Sequence, residues 1–177
     1  MDELEQNTPY ELTEYQKMIA GQSFNGAHQE LINLRLIARL ACAKYNAHPS
    51  KGNLKHIKRL FIEMKSGHIE PSFQCDYGTH IQIGERFFAN FNCVMLDSAN
   101  IIIGNDVLFG PGVHIYTVDH PSDASQRIKG VCSAEPVVIG SGVWIGGGAK
   151  ILPGVTIGNN VIVPANTVVS RSIPAKI

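Results

Sequence analysis

The sequence has no excess of charge of either sign, since 15 lysine and arginine residues balance 15 aspartate and glutamate residues. A neutral chain has no long-range attraction for nucleic acid or for an anionic membrane surface, so neither is expected as a partner. No apolar run approaches the roughly 20 residues of a membrane-spanning helix. The acidic start, MDELEQ, lacks the basic residues and the apolar run of a signal peptide, which predicts a cytoplasmic protein.

Cysteine is scarce and unclustered. The four cysteines are Cys42, Cys75, Cys93 and Cys132. They form no CxxC pair and no other metal-ligand spacing, which argues against a zinc site or a disulfide framework. Because isolated cysteines in a cytoplasmic protein behave as small apolar residues, we expect reduced thiols that are mostly buried.

Residues 10–66 carry apolar residues at helical spacing. One series predicts a long helix: Leu31, Leu34, Ala38, Ala41 and Tyr45. A second series predicts a shorter helix: Leu54, Ile57, Phe61 and Met64. A turn is expected between them over 46–52, and a first short helix over 13–20. We interpret residues 1–70 as an N-terminal α-helical cap.

From about residue 71 a fixed period of six residues replaces the helical spacing. Bulky apolar residues recur at this interval: Ile103, Phe109 and Ile115, then Ile139, Ile145, Ile151, Ile157, Val163 and Val169. Small or β-branched residues follow most of them four positions later: Val107, Val113, Val143, Ala149, Val155, Val161 and Thr167. Glycine follows several of them directly: Gly104, Gly110, Gly140, Gly146 and Gly158. A coil of short strands that turns a corner every six residues has this period.

The period has a simple physical explanation. The bulky side chain stacks inside a prism, the small one fills the corner region, and glycine or asparagine takes the backbone angles of the bend. Each coil covers the apolar side chains of its neighbour. The sequence therefore predicts a mainly β protein with a parallel β-helix over 71–177. The segment 81–103 is rich in strand residues but out of phase, which predicts a bulge or an extra residue there.

The period is interrupted once, by the polar loop 117–136. Its residues include Pro121, Arg127 and Ser133 at positions where aliphatic residues are due. The phase at Ile139 nevertheless matches that at Ile103, so the loop is an excursion from a regular solenoid. Long excursions from compact folds are usually functional.

Several motifs resemble one family. They are FFANFNCVMLD at 87–97, IGNDVLFGPGVHIYTVDHP at 103–121 and VVIGSGVWIGGGAKILPGVTIGNN at 137–160. The helical region MIAGQSF…ELINLR…YN at 18–46 and CDYG at 75–78 are also similar. The chain resembles the maltose and galactoside O-acetyltransferases, hexapeptide-repeat acyltransferases that include nodulation-type members, over about residues 15–173.

This resemblance implies a left-handed parallel β-helix and a homotrimer with active sites between subunits. It also implies that acetyl-CoA is the co-substrate, with no metal required, and that the acceptor is a hydroxyl of a sugar or glycoside. A hydroxyl is a poor nucleophile at neutral pH, so a base must take its proton during attack on the thioester. His120 matches the family's catalytic histidine and lies at the base of the excursion. Histidine is suited to this role because its ordinary pKa lies near neutrality.

The resemblance assigns further site residues. Asn90 matches the residue that positions the acceptor and stabilises the developing negative charge. Arg35 and Asp76 match positions that contact the acceptor. Five positions match contacts to CoA: Trp144, Gly147, Ala165, Ser170 and Arg171. Among these, the Trp144 ring suits the pantetheine arm, a Gly147 N–H suits the thioester, and Arg171 suits a phosphate.

The last coil departs from the family pattern. Pro164 and Asn166 stand where glycine or small residues are common, and Ser170-Arg171 replaces Thr-Lys. The chain also stops at Ile177, before the usual GNPA-type tail, which leaves the CoA affinity open. His28 stands where the family usually carries an aspartate that contacts the acceptor, which leaves the identity of the sugar open.

Two alternatives use the same scaffold. A zinc enzyme of the γ-carbonic-anhydrase kind requires three histidines that converge between subunits, for which His80, His114 and His120 are the candidates. The spacing of the last two is one residue longer than in that family. The other alternative is a non-catalytic solenoid used for binding or assembly, because a scaffold does not dictate function.

Overall fold

The computed structural model describes residues 11–176. Residues 1–10 and 177, which the predicted divisions 1–70 and 71–177 include, lie outside the described residues. The helices are α1 (Glu14–Ile19), α2 (Gln29–Ala47), α3 (Lys51–Lys58) and α4 (Ala124–Ile128). Of these four described helices, none combines the length and the apolar character that crossing a membrane requires.

Fifteen short strands form three parallel sheets of five strands each. Sheet I contains β2 (Glu63–Met64), β5 (Ile81–Ile83), β8 (Ile101–Ile103), β13 (Val137–Ile139) and β16 (Thr156–Ile157). Sheet II contains β3 (Gly67–Ile69), β6 (Phe87–Ala89), β9 (Leu108–Phe109), β14 (Trp144–Ile145) and β17 (Ile162–Val163). Sheet III contains β4 (Gln74–Cys75), β7 (Val94–Leu96), β10 (His114–Tyr116), β15 (Lys150–Ile151) and β18 (Val168–Val169). Each coil gives one strand to each sheet, which confirms the predicted fold class.

The residues of the six-residue series fill the interior of the solenoid. Ile103, Ile139 and Ile157 are at most 2% exposed and pair with one another in sheet I. Burial of each such side chain contributes about 1.5–3 kcal/mol before the entropy of ordering the chain is counted. All four cysteines are buried and free, as predicted. The core is therefore one continuous aliphatic column along the coil axis.

Extra residues enter the solenoid at one corner only, the turn from sheet III to sheet I, here called the III–I corner. Ile139 pairs with Ile157, a coil of 18 residues, whereas Ile83 pairs with Ile103, a coil of 20 residues. The steps from Ile83 to Ala89 and from Ala89 to Met95 are both six residues, so the two extra residues follow Met95. The excursion 117–136 leaves from the same corner. The expected early irregularity is thus a longer corner beneath the excursion.

The cap follows the predicted helices at its start and departs from them at its end. Thr13 caps α1 with a capping box, and α2 covers most of the predicted long helix. The prediction of a helix through Met64 is wrong, because α3 ends at Lys58 and Met64 pairs in parallel with Ile83. Pairing with the next coil outweighs helical spacing here. The first solenoid strands, β2 and β3, accordingly lie before residue 71.

The excursion is fastened to the cap by a small antiparallel sheet. Its strands are β1 (Phe24–Asn25), β12 (Val131–Ala134) and β11 (Val118–Asp119), in that order across the sheet. Phe24 pairs with Cys132, and Val118 pairs with Ala134. A second apolar cluster, which includes Met18, Phe24 and Cys132, lies under this sheet. The cap therefore holds the excursion against the III–I corner.

Glycine has two different roles in the coils. The glycines that directly follow the buried aliphatic residues are not the ones with left-handed backbone angles; those angles occur two residues later, as at Gly112 (φ 67°) and Asn160 (φ 59°). Gly110 instead allows the backbone of the next coil to lie close, since a Cβ at position 110 would be 2.5 Å from the backbone nitrogen of Gly147. The prediction that glycine or asparagine takes the angles of the bend is confirmed at Gly112 and Asn160, whereas Gly110 allows two coils to lie close together.

This difference can be measured with two alanine substitutions. Gly110→Ala forces a methyl group against the backbone of the next coil and is expected to destabilise the fold by about 3 kcal/mol. In Gly112→Ala the new methyl group makes only ordinary van der Waals contact, with the nearest atom at 3.9 Å. It should cost only the left-handed strain, about 1–2 kcal/mol. Denaturant unfolding of both variants tests the assignment, and equal destabilisation would contradict it.

Candidate active site

A cleft of about 630 Å³ opens where the cap, the III–I corner and the excursion meet. Three residues singled out from the sequence line it together: Arg35 from α2, Asp76 after β4 and His120 after β11. Leu96, Ser98 and Cys132 complete much of the remaining wall. The cleft thus combines cationic, anionic and imidazole side chains in one concave surface.

His120 is presented by the first turn of the excursion. Its side chain is exposed, and its backbone N–H donates to Asp119 Oδ1 at 2.7 Å. Its ring Nδ1 lies 3.5 Å from Cys132 Sγ. The antiparallel pairing of β11 with β12 fixes the backbone just before it. An imidazole held by one nitrogen leaves the other available in the cleft.

Arg35 connects the cap to the solenoid at the cleft wall. Its guanidinium donates to Tyr77 Oη and to Gly26 O, both at 2.7 Å, and its Cζ lies 5.8 Å from the centre of the Tyr77 ring. Burial raises the pKa of the Asp76 carboxyl, and the positive charges of Arg35 and Arg39 oppose that rise. Arg35 and Asp76 therefore form a polar wall of opposite charges.

Asp97 supports this wall from beneath. It is fully buried, and its carboxylate accepts hydrogen bonds from the backbone N–H groups of Asp76 (3.1 Å), Tyr77 (2.9 Å) and His80 (3.3 Å). Burial raises the pKa of Asp97 to about 6, while the backbone N–H groups of Tyr77, Gly78 and His80 act against the rise. One carboxylate thus satisfies three donors of the neighbouring corner and fixes the backbone that carries Asp76.

Asn90 lies at a different corner, the turn from sheet II to sheet III, here called the II–III corner. Its Oδ1 accepts the N–H of Phe91 at 2.8 Å, which orients the amide so that its NH₂ group remains as a donor. Gly147 and Ala165 follow strands of the same sheet II and occupy the same corner in later coils. Within the described residues 11–176, no group accepts a hydrogen bond from the Gly147 N–H.

The remaining predicted CoA contacts divide between the face of sheet II and the III–I corner. Trp144 lies on the outer face of sheet II, 52% exposed, between the half-exposed Leu108 and Ile162. Ser170 and Arg171 are exposed and follow β18 at the III–I corner, the corner of His120. Within one chain, sheet III therefore separates the corner of Asn90 from the corner of His120.

Within one chain, the three histidines of the zinc alternative lie apart and have different partners. His80 is buried and bonds through Nδ1 to Asp97 O, whereas His114 bonds through Nδ1 to Tyr116 Oη at 2.6 Å on sheet III. His120 contacts Cys132 instead. Across the part of the chain that the structure describes, no group of three His, Cys, Asp or Glu side chains is arranged to hold a metal ion.

Sequence reasoning missed Tyr77, Asp97 and Cys132 at the site. Tyr77 lies inside the CDYG motif, so its position was visible but its bond to Arg35 was not. Asp97 had a signal, since it is the first polar residue after Met95, where the period slips. Cys132 was assigned only as a buried thiol; its contact with His120 depends on strand pairing inside the excursion.

Two family motifs match the chain. Residues 136–171 match the bacterial transferase hexapeptide (six repeats), and residues 17–64 match the maltose acetyltransferase hexapeptide capping motif. Among curated relatives, Nodulation protein L of Rhizobium meliloti (strain 1021) is 44% identical over 168 residues, with 92% of this chain and 91% of that protein covered.

Solved structures agree with this result. A maltose O-acetyltransferase from Clostridium difficile 630 has a TM-score of 0.88 and 38% identity, with 93% of this chain and 90% of that chain covered. A hexapeptide-repeat acetyltransferase from Vibrio cholerae O1 biovar eltor, complexed with acetyl coenzyme A, has a TM-score of 0.82 and 38% identity, with 93% and 91% covered. The chain therefore belongs to the maltose and galactoside O-acetyltransferase family of hexapeptide-repeat transferases and is an acetyl-CoA-dependent acetyltransferase.

Proposed function

We propose that this acetyltransferase moves the acetyl group of acetyl-CoA to a hydroxyl of a sugar or glycoside in the cytoplasm, with His120 as general base. The observation that carries the proposal is the cleft at the III–I corner, where an exposed imidazole lies with Arg35 and Asp76. Paired charged groups of this kind hydrogen-bond to the many hydroxyls of a sugar. The name of the maltose O-acetyltransferase neighbour supports the same substrate class.

The chemistry follows from the residues available. The acceptor hydroxyl gives its proton to His120 as its oxygen attacks the thioester carbonyl carbon. Negative charge then develops on the carbonyl oxygen, and the Asn90 amide and the Gly147 N–H are the donors that stabilise it. Collapse of this intermediate breaks the carbon–sulfur bond, and the departing thiolate takes the proton from the imidazolium.

A single chain has these groups on two corners, which supports a homotrimer with active sites between subunits. Sheet III separates Asn90 from His120 within one subunit. A second copy placed beside the first brings the II–III corner of one subunit to the III–I corner of the other. Closed rotational symmetry then repeats the same contact three times.

The CoA path runs along the same boundary. The apolar stripe of Leu108, Trp144 and Ile162, each about half exposed, suits the pantetheine arm. Beside this stripe, the small side chain of Ala165 leaves the backbone accessible, so that the pantetheine arm can approach it closely. Ser170 and Arg171 offer a hydroxyl and a guanidinium for the phosphates.

Replacement of His120 tests the general base. His120→Ala is expected to lower kcat by at least about 100-fold, because the hydroxyl then has no base. The assay follows thiol release from acetyl-CoA across a panel of sugars, and a CoA-dependent thermal shift should persist. His56→Ala, on α3 outside the cleft, is the control and should retain activity. Near-normal turnover of His120→Ala would refute the assignment.

Mixed oligomers test whether two subunits share a site. His120→Ala and Asn90→Ala should each be inactive alone. Co-expressed and isolated as mixed trimers, they should recover about a third of the wild-type activity, because one of the three sites in each mixed trimer combines an intact His120 with an intact Asn90 from different subunits. Two affinity tags isolate the mixed species. Absence of any recovery would place both residues' action within one chain.

Replacement of Asp76 tests whether its carboxylate contacts the acceptor. Asp76→Asn should raise the KM for the acceptor by roughly tenfold, since the acceptor hydroxyl then donates to a neutral amide oxygen instead of a charged carboxylate. The KM for acetyl-CoA should not change. Asp106→Asn, an exposed carboxylate that pairs with Arg86 at a different corner, is the matched control. An equal rise in both KM values would argue against an acceptor role.

A further inference from the structure

Cys132 occupies a fixed position behind the candidate base. It lies in β12, pairs with Phe24 of the cap on one side, and precedes Ser133, which pairs with Asp119 on the other. Its side chain is buried, with 6% exposed. Gly26 leaves room for the sulfur, since a Cβ at Gly26 would lie 2.8 Å from Cys132 Sγ. The thiol is therefore held by strands on both sides.

The sulfur has two polar contacts that fix the direction of its hydrogen bonds. Cys132 Sγ lies 3.5 Å from Gly130 O and 3.5 Å from His120 Nδ1. A carbonyl oxygen only accepts, so the contact with Gly130 requires the thiol as donor. Gly130 O is itself held in place by the N–H of Gly26 at 2.9 Å. The sulfur then presents a lone pair to the histidine.

The thiol keeps the proton that this arrangement needs. Burial raises the pKa of Cys132, while the Gly26 N–H and the charge of Arg35 act in the opposite direction. A protonated thiol has one hydrogen to donate and sulfur lone pairs to accept with. Its hydrogen is directed to Gly130. The hydrogen in the contact between Cys132 and His120 must therefore be on the ring nitrogen that faces the sulfur, Nδ1.

We propose that Cys132 is a positioning residue that holds His120 in the tautomer with hydrogen on Nδ1, through the chain His120 Nδ1–H to Cys132 Sγ and Cys132 S–H to Gly130 O. In this tautomer Nε2 carries the lone pair and is the basic nitrogen. The partner of one imidazole nitrogen determines the state of the other. The inference rests on the proposed role of His120. It also means that the cap strand β1, which pairs with β12, helps to hold the base in this tautomer.

The tautomer is directly measurable by NMR. Histidine labelled with ¹⁵N in the full-length protein, at about pH 8.5 where imidazole is neutral, gives different nitrogen shifts for the two tautomers. The signal of His120 is identified by its loss in His120→Ala. We expect hydrogen on Nδ1 in the wild-type protein and a shift towards hydrogen on Nε2 in Cys132→Ala. Hydrogen on Nε2 in the wild-type protein, or an unchanged signal in Cys132→Ala, would overturn the proposal.

Steady-state kinetics give an independent test. Cys132→Ala should lower kcat by about fivefold, the effect of losing one modest hydrogen bond, with the KM for acetyl-CoA unchanged. Cys132→Ser keeps a donor and an acceptor and should recover most of kcat. Cys42→Ala removes another buried thiol that contacts Cys75 rather than a histidine, and it should not change kcat. Equal kcat for Cys132→Ala and the wild-type protein would overturn the proposal.

A double variant separates this inference from the proposed function. If His120 is the base and Cys132 acts through it, Cys132→Ala should cause no further loss of kcat in the His120→Ala background. A full additional fivefold loss there would show that Cys132 acts independently of His120. Activity retained by His120→Ala would instead refute the proposed function itself.

Discussion

The parallel pairing of successive coils is the constraint on which the structure depends. Each strand must align with the one below and the one above while its aliphatic side chain stacks inside the prism, as Ile103 does between Ile83 and Ile139. A residue added within a strand would turn every following side chain to the wrong face. Additional residues can therefore enter only at corners, and this chain places them at the III–I corner. The cleft lies at that corner because the additional residues form part of its walls.

The cleft itself depends on polar groups that the solenoid cannot supply from its strands. The longer corner after Met95 provides the buried carboxylate of Asp97, which holds the backbone of Asp76 and Tyr77. The cap then adds Arg35, bonded to Tyr77. A buried carboxylate is costly unless several donors satisfy it, and here three backbone N–H groups do so. The rigid coils thus support a polar surface that hydrogen bonds hold in place.

The regular part of the fold could be predicted from the sequence because its determinants are local. The series from Ile139 to Val169 repeats a requirement that each six-residue segment meets by itself. Met64 was misassigned because its partner, Ile83, is distant in sequence and outweighs local spacing. The individual residues Arg35, Asp76 and His120 could be named, yet their meeting in one cleft depends on contacts between cap, corner and excursion. The thiol behind His120 carries no local signal at all.

The pairing of Phe24 with Cys132 also has a consequence for how the protein forms. These residues lie about 100 positions apart, and such non-local pairings are intrinsically slow to establish. Their strands, β1 and β12, can pair only after the coils between them in the sequence have stacked, because those coils set the distance between the cap and the excursion. During synthesis, the solenoid can begin to grow from its first coils while the cleft is still open. The sheet that joins the cap to the excursion, and with it the closed wall of the cleft, is therefore expected to form after the coils rather than before them.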